Sequence, residues 1–285
     1  MIRGSALPFA IILFLAPGRV AGQTPDDQMA VLPAPAPWEP AVRTAPELVA
    51  AGDSADPSLQ PEVALALYRE AIAIDSAFYP AWWKAGRALV DVGKQTLGND
   101  DAARSYRDSL YFLARDYAER AIQLDGSDAN GHYVLALALG RLSLTRGGRD
   151  RVRFGKIIYN ESAYAVVLAP DHDWAHHVLG AFHAEVRRLP GPTRFIAKIL
   201  FGARLVKLSS WDSATVHLER AVELAPANIF HRLELARVYL DVDRAADAAV
   251  QLEAIAGLPD GDVMDPEYRR NAAELLAGIR KERGG

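Results

Sequence analysis

Cysteine is absent from the chain, and that absence removes several classes of protein at once. A disulfide framework, a thiol nucleophile, a thiolate metal site and a lipoprotein attachment point are all excluded, so burial must hold the fold together. The alternating polar and apolar pattern of strands is also missing, which predicts an all-α protein. No catalytic constellation emerges: the serines lack a nucleophile elbow, Gly147, Gly148 and Gly191 make no phosphate loop, and Asp100–Asp101 falls in turn-like sequence. Neither sign of charge dominates, and a net charge of −4 argues against a nucleic-acid partner. Half of the residues are nevertheless hydrophobic and 24% are charged, as in a soluble protein with a real core.

The one long apolar run, Ala6 to Ala16, is shorter than the about 20 residues a bilayer span needs. It follows Arg3 and precedes Pro17, Gly18 and the small residues Val20-Ala21-Gly22, which reads as a signal peptide over residues 1–22, cleaved before Gln23. An uncleaved anchor is the alternative. Cleavage would remove Arg3 and Arg19 and take the net charge to −6, leaving a mildly acidic periplasmic or cell-envelope protein. Residues 23–45 form a Pro/Ala-rich linker whose Val31 to Pro40 stretch favours an extended tether. The folded domain is expected over 46–285.

Within that domain the helical period recurs. Ala214, Leu218 and Ala221, followed by Pro226 and then Leu235, Ala236 and Tyr239, describe an antiparallel helix pair in which small residues admit a neighbour and large ones fill the groove. This is the tetratricopeptide signature, whose period is about 34 residues. Equivalent positions Ala71, Ala121, Ala165, Ala221 and Ile255 lie 50, 44, 56 and 34 apart. The expectation is therefore an α-solenoid of about five pairs with insertions around Lys94–Ala103, Leu142–Gly155 and Arg187–Ser210. A capping helix would begin at Pro266 behind Asp265, with Tyr268, Ala272, Leu275, Leu276 and Ile279 covering the stack and Arg269, Arg270 and Lys281 in water.

A narrower likeness appears in His176-His177-Val178-Leu179-Gly180, Glu185-Val186, Arg194 to Gly202 and Ser209 to Ala214. These segments resemble the regulator of microtubule dynamics family and its bacterial relatives. Animal members are described as microtubule-associated, and one has a repeat domain implicated in carrying phospholipid. An exported chain meets no microtubule, so the resemblance implies the fold and a groove for lipid or peptide.

Three groups of residues invite a functional reading. His172, His176, His177 and His183, with Asp173 and Glu185, are spaced as metal ligands would be on a helix, but His176 and His183 fall where repeats pack, and packing is preferred. No metal and no cofactor is expected. Residues 189–207 form a basic amphipathic segment: Phe195, Ile196, Ile199, Ala203 and Val206 share an arc that Arg194, Lys198, Arg204 and Lys207 avoid, while Phe201 lies off it. The segment packs on the solenoid or meets anionic lipid. Arg141, Arg146, Arg149, Arg151, Arg153 and Lys156 make a basic loop suited to carboxylate or phosphate.

The sequence is read as a non-enzymatic protein-binding scaffold of the cell envelope, with a partner groove near Trp83, Lys84, Tyr133, His177 and Arg232. The alternative is a lipid-binding module using Arg149, Arg151, Arg153, Arg194, Lys198, Phe201 and Arg204.

Overall fold

The computed structural model describes residues 43–55, 58–96, 98, 100–145, 148–189 and 208–283. The residues read as a signal peptide, nearly all of those read as a linker, Arg194, Lys198, Phe201 and Arg204, and the side chain of Arg149, lie outside the described residues. Eleven α-helices make up the described part: α1 (Ala45–Ser54), α2 (Pro61–Ile74), α3 (Tyr79–Gln95), α4 (Asp101–Leu124), α5 (Ala129–Thr145), α6 (Gly148–Leu168), α7 (Asp173–Arg188), α8 (Trp211–Leu224), α9 (Ile229–Asp241), α10 (Ala245–Ile255) and α11 (Asp265–Arg283).

They pack as five successive pairs with α11 added at the end, as the spacing predicts. The first helices of the pairs, α1, α3, α5, α7 and α9, touch one another in turn, and α11 continues that row. Second helices pack chiefly against their flanking first helices, so the odd-numbered row up to α9, with α11, forms the inner layer and α2, α4, α6, α8 and α10 the outer one.

Small residues set how closely the layers approach. Ala71, Ala114, Ala118, Ala121, Ala165, Ala214 and Ala221 on the outer helices are completely buried. Opposite Ala214 lies Gly180 of α7, where an added Cβ would sit 2.8 Å from Leu218 Cγ and 3.1 Å from the Ala214 carbonyl oxygen. Only glycine permits that approach without displacing backbone.

The expectations for the insertions and for the start of the last helix are corrected by the structure. Much of the inserted sequence lengthens helices instead of forming loops: α4 has 24 residues and α6 has 21, against 13 and 11 in the uninterrupted pair α9–α10. Proline is absent from both long helices, and Asp100 caps α4 by accepting a bond from the Ala103 amide at 2.8 Å. Within the expected basic loop, residues 141–145 end α5 and residues 148–156 begin α6, and Arg146 lies outside the described residues. The first helix starts at Ala45 because Thr44 and Glu47 form a reciprocal capping box.

At the other end, Asp265 does not cap forward into α11. Its carboxylate points back and accepts from the Gly261 and Asp262 amides at 2.8 and 2.9 Å. Arg269 does not face water either: it donates to the Ile255 and Leu258 carbonyls at 2.8 and 2.6 Å and to Asp260, satisfying the open end of α10.

Candidate functional site

Every inner helix from α3 onward contributes to one row of rings and cations. Arg87 of α3 donates to the Tyr133 hydroxyl of α5 and lies 4.4 Å over the Trp174 ring of α7. Trp174 meets His231 of α9 edge-on at 4.6 Å, and His231 stacks on His177 at 4.7 Å. His177 meets Phe230 at 4.7 Å, and Phe230 stacks on Tyr268 of α11 at 4.6 Å. Arg141 of α5 lies 5.9 Å over the Phe230 ring. Helical spacing explains the alignment, because Arg87, Asp91 and Lys94 fall four and three apart on one face of α3.

The α3 end of the row is ionic. Asp91, 2% exposed, pairs with Arg87 at 2.9 Å and with Lys94 at 2.8 Å. Burial alone would raise the Asp91 carboxyl; Arg87 and then Lys94 reverse this and hold it below the usual range. Arg87 is itself opposed by burial, yet Asp91 keeps its affinity for the proton raised.

The histidines divide between this row and the opposite side of α7. On the inner side, the His231 Nε2–H donates to Asp173 at 3.0 Å, so its Nδ1 accepts from His177 Nδ1–H at 3.0 Å. On the outer side, the His176 Nε2–H donates to the Pro170 carbonyl, and its Nδ1 accepts from His217 of α8 at 2.9 Å. His183 stacks against His217. Burial pushes His183 and His217 down to about 4, with His176 adding to the effect at His217, and lowers His172, His176, His177 and His231. Neutral imidazoles serve as packing groups here. Among the described residues no three His, Asp or Glu side chains are placed to hold a metal ion.

The residues expected to line a groove are placed unequally. Trp83 and Lys84 are partly exposed, with the Lys84 ammonium 4.6 Å from the Trp83 ring centre and 2.8 Å from Asp53. Tyr133 and His177 are 2% and 3% exposed, inside the row. Arg232 is turned to the Pro226 carbonyl at 2.8 Å and to Gln251. Of the basic residues, Arg151 is exposed, and Arg153 lies over Phe154 and beside Asp150 at 3.3 Å.

Arg87, Asp91, Lys94, Phe230 and Asp262 escaped the sequence reading. The available signal was the charge triplet of α3, placed on the same helix as the repeat positions Trp82, Ala85 and Gly86.

Comparisons with known proteins agree with this architecture. A thermophilic tetratricopeptide repeat protein of Thermus thermophilus superposes with a TM-score of 0.59 at 17% identity, covering 82% of this chain and 99% of that one. Regulator of microtubule dynamics protein 1 of Bos taurus is 27% identical over 69% of this chain and 61% of its own length. The Homo sapiens protein is 24% identical over 70% and 62%, and regulator of microtubule dynamics protein 3 of Xenopus laevis 27% over 70% and 42%. The chain thus spans about three fifths, or less, of the length of these relatives. The family described as regulator of microtubule dynamics protein 1-3 matches residues 43–280, the whole helical array up to the last turn of α11, and the chain belongs to that family.

Proposed function

We propose that the chain is a non-enzymatic scaffold of the cell envelope that engages a protein partner through the inner layer of its solenoid. The observation that carries this reading is the row of cations and aromatic rings along the inner helices from Arg87 to Tyr268, with Trp83 and Lys84 of α3 partly exposed on the same layer. Such side chains supply directional recognition that aliphatic packing does not. Envelope location rests on the signal-like residues 1–22.

A photo-crosslinking residue at Trp83, on the inner layer, should yield a discrete adduct in the envelope fraction, and one at Val216, 60% exposed on α8, should not. Adducts from Val216 alone would move the partner to the outer layer. A second reading, contact with anionic lipid, is favoured by the exposure of Arg151 and Arg153. It predicts salt-sensitive sedimentation with phosphatidylglycerol vesicles, lost in Arg151→Glu/Arg153→Glu; equal sedimentation of both forms would end it.

A further inference from the structure

The connection between α10 and α11 crosses back to the first repeats. The Val263 amide donates to the Ser58 carbonyl at 3.0 Å, and Asp262 accepts from the Lys94 ammonium at 2.8 Å. The Lys94 side chain is 6% exposed and already paired with Asp91, so Asp262, its own side chain 13% exposed, supplies the second carboxylate of an Asp–Lys–Asp bridge. The turn is shaped for this. Asp265 gathers the Gly261 and Asp262 amides, Asp262 Oδ1 accepts from the Met264 amide at 2.9 Å, and Arg269 holds Leu258 and Asp260. One carboxylate, Asp262, is thereby presented inward to the cationic end of the row.

We propose that residues 258–265 are an intramolecular ligand of the inner layer: a strap whose Asp262 occupies the Lys94 position that an acidic segment of a partner protein takes in its place. The occupant is identified by charge complementarity, because Lys94 and Arg87 lie at that end of α3 and the chain's own aspartate is already seated on Lys94. A single backbone amide bond to the Ser58 carbonyl and a carboxylate on Lys94 are the two contacts an extended acidic peptide can reproduce. The inference rests on the scaffold reading, with access to the inner layer controlled by the strap.

The test uses the full chain and a labelled synthetic peptide, LPDGDVMDPE, copying Leu258–Glu267. Asp262→Asn/Val263→Pro removes both contacts from the strap while leaving the inner layer intact. This variant should bind the peptide at least about tenfold more tightly than the unaltered chain, because internal competition is relieved. Binding should weaken with salt and disappear when Lys94→Met is added. A folded variant that binds no better than the unaltered chain overturns the proposal. If the variant does not fold, hydrogen exchange at the Val263 amide of the unaltered chain decides: exchange through local opening supports a displaceable strap, and exchange only through global unfolding overturns it. A Trp83 adduct retained alongside a negative peptide result would leave the scaffold and remove the strap; a positive peptide result with no adduct would do the reverse.

Discussion

The junctions between repeats and the inner row are built on opposite plans. At the junctions one contact recurs: a side chain near the start of the inner helix donates to the carbonyl six residues earlier. Trp82 donates to Ser76, His132 to Gly126, His176 to Pro170 and Arg232 to Pro226, all at 2.8–3.1 Å. Three residue types perform one task, since all that is required is an N–H at the right distance. Gly86, Ala136, Gly180 and Ala236 follow four residues later in each case, where the outer helix approaches. In the inner row residue types return, Arg87 with Arg141 and His177 with His231, but at different places in their helices, so no single bond is repeated from pair to pair. Repetition therefore specifies the stack, and its absence marks what is particular to this chain.

Four experiments can break or sharpen that contrast, beginning with the junctions. Leu218→Ala empties a completely buried site against Gly180 and should cost about 3 kcal/mol in chemical denaturation; a loss below about 1 kcal/mol would mean the junction repacks freely. In the inner row, Arg87→Met should cost about 2 kcal/mol, less than a buried ion pair usually loses because Lys94 still serves Asp91. Arg87→Met/Asp91→Leu should recover most of that loss. If the double variant is the worse of the two, the row is held by more than the pair.

The third experiment concerns pH. Unfolded imidazoles take up protons near 6.5, whereas His183 and His217 wait until about 4 in the folded chain. Between those values the unfolded state binds more protons, so stability falls as pH drops from 6.5 towards 4. The melting temperature should decline by about 5 °C or more from pH 7 to 4.5. His132 has the opposite sign: its bond to Glu161 raises its proton affinity, so its contribution is complete below 6.5 and fades as pH rises through the folded value. The smallest effect should therefore be His132→Gln, about 1 kcal/mol near neutrality and larger at pH 6 than at pH 8. A loss that does not change with pH would assign His132 to packing alone.

The helix pairs were legible because their determinants are local. Ala214, Leu218 and Ala221 declare a buried stripe by spacing alone, whereas the helix start at Thr44 and Glu47 was read as linker up to residue 45. Insertions were harder, since a sequence that departs from a repeat length shows where residues are added but not whether they extend a helix. Asp100 and the proline-free run behind it were the clue that α4 simply begins early. The inner row was the least legible. Whether Arg87 reaches Trp174, or Asp262 reaches Lys94, depends on how far each pair rotates past the last, and that angle is set by side-chain volumes summed over several junctions. Tyr133 and His177 were found as inner-layer residues without their burial, because burial there comes from helices distant in sequence.

The bond between Val263 and Ser58 has a last consequence, for how the molecule comes apart. An open array of repeats can fray from either tip, each unit answering only to its neighbours. Joining the first pair to the last turns a line into a circuit. While that bond holds the two tips brace each other, and releasing the strap returns the array to an open line.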